Sequence, residues 1–102
     1  MSVQRRHTVD AQTTMTVLVT RDAAGDLREG VRSRLARIDG VEAVGDLDVS
    51  GVRPGLNDLQ VEVATELRVR PRPPGEEVDA DAVAAQLADG FGVKRAAVTE
   101  VR

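Results

Sequence analysis

An α+β architecture of the ferredoxin-like, split-βαβ type is what this 102-residue chain predicts: a four-stranded antiparallel sheet with two helices on one face. Three observations lead there. Residues 13–20 and 59–70 alternate apolar and polar side chains at period two, as half-buried strands do. Residues 27–38 and 79–89 carry apolar side chains at helical spacing. Finally, sliding the chain by 52 residues lays Val31, Leu35, Ala36, Gly40, Val41 and Val49 on Val83, Leu87, Ala88, Gly92, Val93 and Val101. Each half then reads strand, helix, returning strand, and two such halves make the split-βαβ sandwich.

The first strand sets Met15, Val17 and Val19 against Thr14, Thr16 and Thr20, and β-branched residues favour that pleated surface. In the helix that follows, Leu27, Val31, Leu35 and Ile38 share a face. Asp22 or Asp26 is placed to cap its amides, and Arg34 and Arg37 suit its negative end. Gly40 closes it as a residue free to take positive φ. Residues 41–50 read as a weak second strand, with Val41, Ala43, Leu47 and Val49 on one face and acids between them. Charge of that kind suits a sheet edge. Residues 50–55 read as a turn centred on Pro54-Gly55. The third strand is the clearest, with Leu59, Val61, Val63, Leu67 and Val69 opposite Gln60, Glu62, Glu66, Arg68 and Arg70. Proline ends it at Pro71, Pro73 and Pro74, since proline cannot donate to a ladder. The second helix, 79–89, puts Val83, Leu87 and the alanines at 80, 84 and 88 inward, and Gly90 and Gly92 terminate it. Residues 93–102 form a last strand of mixed polarity. The first and third strands are expected at the centre of the sheet, the second and fourth at its edges. Residues 1–12 are expected to be a partly disordered lead-in to one domain over 13–102, with Thr8 as the earliest start of the first strand.

Composition excludes much. There is no cysteine, so disulfides and thiolate metal sites are absent. One histidine, His7, cannot build a histidine-rich metal site or a Ser-His-Asp triad. Phe91 is the one aromatic, which leaves no stacking platform for bases. A net charge of -3 is too mild to signal a nucleic-acid or membrane surface. No apolar run approaches a membrane span, and the absence of an apolar leader near the start predicts cytoplasm. No metal and no cofactor are expected.

Several groups of residues carry candidate chemistry. Arg21, Asp22, Gly25 and Asp26 lie where a ferredoxin-like module would bind an effector at a helix N-terminus, although the two aspartates already occupy that positive end. The spacing of Asp22, Gly25, Leu27 and Val31 after a valine-rich strand resembles the ACT family of small-molecule regulatory domains, with Ala24 where that family places proline. The resemblance implies effector binding at this turn. Pro54-Gly55-Leu56 and the closing Val98-Thr99-Glu100-Val101-Arg102 are similar to the archaeal type of translation elongation factor 1 beta, which implies a translation-associated partner. That family's apolar-aromatic residues before the glycine-leucine pair are missing. Heavy-metal-binding domains of this topology need paired cysteines, which this chain lacks.

Arg68, Arg70 and Arg72 point one way, toward the sheet face without helices, as a row able to hold phosphates. The plainer reading pairs them with Glu62, Glu66 and the acids of the second strand. The carboxylate pairs Asp46/Asp48 and Asp79/Asp81 lack the burial that general acid–base work requires. Arg21 and Asn57 sit loosely where acylphosphatases keep an arginine and an asparagine, but the rest of that motif is missing. The first helix is basic and the second acidic, so ion pairs between them are expected. Together these readings favour a non-catalytic module that self-associates through its open sheet face or an edge strand. Leu18 and Ala64 on the wet face are small enough for close contact. The alternatives are nucleic-acid or ribosome association through Arg68, Arg70, Arg72 and the first helix, and ACT-like effector binding.

Overall fold

The computed structural model describes residues 8–20, 27–71 and 79–102. Six elements follow one another: β1 (Val9–Thr20), α1 (Leu27–Ala36), β2 (Val41–Pro54), β3 (Asp58–Val69), α2 (Ala80–Ala88) and β4 (Val93–Val101). The strands form one antiparallel sheet in the order β2-β3-β1-β4, so β1 and β3 are central and β2 and β4 are edges. This is the ferredoxin-like arrangement that the patterning predicts.

Odd-numbered residues of both central strands face the helices, and all but the half-buried Val9 and Leu59 are buried, among them Met15, Val17, Val61, Val63 and Leu67. β1 and β3 pair without interruption from Val9↔Val69 to Thr20↔Asp58, which keeps that alternation in phase along their whole length. α1 covers β1 and β2, and α2 covers β4. The 52-residue repeat is structural: Val31 and Val83 are buried at equivalent helix positions, as are Leu35 and Leu87. Gly40 and Gly92, equivalent in the repeat, are the two glycines with positive φ among the described residues, at 93° and 85°. Each turns the chain from a helix end into an edge strand. Asp79 caps α2, accepting a hydrogen bond from the Ala82 amide at 2.8 Å.

The structure corrects the sequence at several points. β1 begins at Val9, near the earliest start that the sequence allows, so residues 9–12 are strand and not lead-in. β2 continues through residues expected to turn and ends at Pro54, where proline's missing donor stops the ladder. The reversal falls at residues 55–57, closed by the Gly55 amide donating to the Asp58 carbonyl at 2.7 Å. Ala43 is exposed, and Val44 packs on the core in its place. The cause is irregular pairing, because the β2–β3 register shifts between Val41 and Ala43, Val44 and Leu47, and Val49 and Gly51. Each shift moves following residues to the other face. In α2, Gln86 is buried and Ala88 is exposed, since position 88 lies a helical step beyond the buried Leu87.

Freed backbone groups at the second of these irregularities find side-chain partners. Arg32 donates through Nη1 to the Val44 carbonyl at 2.8 Å, and Thr65 through Oγ1 to the Asp46 carbonyl at 2.7 Å. Thr13, opposite Thr65, donates in turn to the Thr65 carbonyl at 2.9 Å. Thr65→Val keeps the shape but leaves the Asp46 carbonyl without this donor, an expected loss of about 1–2 kcal/mol. Thr99→Val removes a comparable bond at an exposed edge, from Thr99 Oγ1 to the Gln12 carbonyl, and should cost about 0.5 kcal/mol. Urea denaturation of the two variants measures the difference.

Candidate interaction surface

The sheet face opposite the helices is assembled by the even-numbered residues of β1 and β3. The register sorts it into rows across the strands. Gln12 lies between Glu66 and Glu100, and the next row runs Asp48, Ala64, Thr14, Ala97. A third row runs Gly51, Glu62, Thr16, Arg95, and a fourth has Arg53, Gln60 and Leu18. Lys94 joins the fourth row by donating through Nζ to Gln60 Oε1 at 3.2 Å. The middle of the face carries short uncharged side chains, Thr14, Thr16, Leu18, Ala64 and Ala97, with one acid and one base, Glu62 and Arg95, on either side of Thr16. A shallow depression of about 230 Å³ opens there, lined in part by Thr14, Thr16, Ser50, Glu62 and Arg95.

Charge gathers toward the end of the face where β1 begins. Arg68 Nε lies 3.2 Å from Asp10 Oδ1, and Arg70 Nε lies 3.4 Å from Glu42 Oε2. Arg102 approaches Glu66 at 2.9 Å and Glu100 at 3.7 Å. Arg68 lies on the helix-free side and Arg70 just past the end of β3, and each is matched to an acid. Arg70 pairs with an acid of β2, as the plainer reading has it. Arg68 pairs instead with Asp10, directly opposite it on β1. Such exposed pairs contribute at most about 1 kcal/mol each, but they neutralise the row. Arg72 lies outside the described residues, and so do Arg21, Asp22, Gly25 and Asp26, the whole of the candidate effector turn and acyl-phosphate arginine.

Other candidate groups fall elsewhere. Asp79 is occupied as the α2 cap, while Asp46, Asp48 and Asp81 are exposed. Asn57 is exposed in the turn between β2 and β3. Arg32 and Arg34, expected to meet acids of the second helix, instead reach the Val44 carbonyl and lie over the Phe91 ring, 5.3 Å from its centroid. Phe91 is 85% exposed in the turn before β4, away from the open face, so it offers no stacking surface beside the strand arginines. Among the described residues no group of histidine, cysteine or carboxylate side chains has metal-binding proximity. No helix among them is long and apolar enough to cross a membrane.

The sequence pointed to Leu18 and Ala64 on this face but missed Lys94, Arg95, Ala97 and Glu100. β4 hides them because its register with β1 shifts twice, between Gln12 and Thr13 and between Thr16 and Val17. Period-two reading fails across such shifts. No family model, curated protein or solved structure matches the chain, so its ferredoxin-like assignment stands on strand order, register and the two buried helix faces.

Proposed function

We propose that this chain is a small non-catalytic binding module that associates with a second copy of itself through the open sheet face. The observation that carries the reading is the composition of that face: a centre of threonine, alanine and leucine that holds the opposite charges Glu62 and Arg95 on either side of Thr16, with further charged residues around it. An interface centre is poor in charge and its rim tolerates it, and the two central charges here are of opposite sign on one row, so they can offset each other. The edges are poorer candidates. β2 is bulged, ends in proline, and has its Val44 carbonyl taken by Arg32, and β4 departs twice from regular pairing. Bulges of this kind twist an edge away from a further strand. Phosphate binding by the arginine row is disfavoured, because Arg68 and Arg70 already face acids.

Sedimentation equilibrium tests the reading directly. The full chain should dimerise below about 0.5 mM, a weak but specific affinity in the range that a small interface supports. Ala64→Arg, at the centre of the face, should abolish the dimer and leave the far-ultraviolet circular dichroism unchanged, because the side chain projects away from the core. A wild-type chain that stays monomeric at 0.5 mM, or a dimer indifferent to Ala64→Arg, overturns the proposal.

A further inference from the structure

The charge pattern of the open face also selects how two copies stack, an inference that rests on the self-association just proposed. Two sheets packed face to face lie about 10 Å apart with their strands roughly aligned. A two-fold axis in the plane between them runs either along the strands or across them. If it runs along the strands between β1 and β3, every row meets its own equivalent, and β4 of one copy lies over β2 of the other. Lys94 then comes over Arg53, a like-charge meeting that occurs twice by symmetry. If it runs across the strands, between the Thr14 and Thr16 rows, row order reverses while each strand lies over its own equivalent.

The second arrangement fits the residues. Reversal sets the third row over the second, so Glu62 and Arg95 of each copy face Ala64 and Ala97 of the other. Long side chains thereby meet short ones, which lets the sheets approach. Glu62 and Arg95 flank Thr16 on their own sheet and can compensate each other as water leaves. Reversal also sets the fourth row over the first, bringing Lys94 over Glu100 and Gln60 over Glu66. Lys94 and Glu100 are both exposed, and their nearest polar partners sit at 3.2 and 3.7 Å, weak attachments that leave them able to turn outward.

We propose that two copies stack through the helix-free face about an axis crossing the strands, with Lys94 of each pairing with Glu100 of the other. The interface is isologous and closes at two, so it predicts a dimer and no larger assembly. Charge reversal separates this stacking from the existence of the dimer. Lys94→Glu sets glutamate against Glu100, and Glu100→Lys sets lysine against Lys94; each should raise the dissociation constant at least tenfold. The double variant Lys94→Glu/Glu100→Lys recreates the pair with its sense exchanged and should return to within about threefold of wild type. All are measured by sedimentation equilibrium at one ionic strength, with circular dichroism confirming the fold. Lys94→Gln and Glu100→Gln, milder changes at the same exposed positions, should each weaken the dimer by a smaller factor. Single reversals without effect, or a double variant no better than the singles, overturn the crossed-axis stacking. If the dimer is nevertheless lost in Ala64→Arg, the face itself stands and only its orientation is wrong. A monomeric wild type overturns both.

Discussion

Leu35→Ala and Leu87→Ala should each lower the unfolding free energy by about 2–5 kcal/mol, the range for large-to-small changes in a packed core. Both leucines are 0% exposed and occupy equivalent places in the two halves, one beneath each helix. A domain of this size holds only about 5–15 kcal/mol in total, so either loss is a large part of it. Glu62→Ala and Glu66→Ala are the internal controls. They belong to the same strand that supplies Val61, Val63 and Leu67 to the core, but they point to the other side. Glu66 forfeits one exposed pair with Arg102, and both should stay within about 1 kcal/mol of wild type. Urea denaturation at low protein concentration, where association does not contribute, decides it through the transition midpoint at constant slope. Equal losses at all four positions would show that the sheet is covered on both faces, and the one-sided sandwich would be wrong.

How much of this was legible in the amino-acid order depended on the regularity of the pairing. β1 and β3 pair without a shift, so the alternation of Met15, Val17, Val61 and Val63 maps directly onto burial. Helical spacing located Val31, Leu35, Val83 and Leu87 for the same reason. Legibility ended where the register slips. Ala43 and Val44 exchange roles at a bulge that depends on tertiary partners, Arg32 and Thr65, which no local pattern announces. Gln86 was missed because a buried amide is recognised by the carbonyls it reaches, and those lie far away in the chain. The candidate surface divides along the same line: its β1 and β3 residues could be read from alternation, whereas Arg95, Ala97 and Glu100 acquire their orientation from an irregular edge strand. Arg68 finds its acid on β1 and not among Glu62, Glu66 and the acids of β2, because the strand reaches back far enough to set Asp10 opposite it.

Gly40→Ala and Gly92→Ala test the repeat at the point where its two halves differ. Both glycines have positive φ, which costs a residue with a Cβ about 1–2 kcal/mol. At Gly92 the nearest obstacle to that Cβ is Arg34 Cδ at 2.9 Å, part of a flexible side chain that can swing aside. At Gly40 the new carbon would come within 2.2 Å of Gln86 Nε2 and 2.9 Å of the Arg70 carbonyl. Gln86 cannot yield cheaply. It is buried, and its amide donates to the Asp39 carbonyl at 3.2 Å and to the Arg70 carbonyl at 3.1 Å, tying the end of the first helix to the end of β3. Displacing it adds about 1–3 kcal/mol for polar groups left unsatisfied. Gly40→Ala should therefore cost about 2–5 kcal/mol, against about 1–2 kcal/mol at Gly92. A double-mutant cycle isolates the reason: in a Gln86→Ala background the amide is already gone, so Gly40→Ala should cost at least about 1 kcal/mol less than it does in wild type. Strict additivity would mean that the Arg70 carbonyl and the backbone angle, with no contribution from Gln86, set the requirement for glycine at this turn.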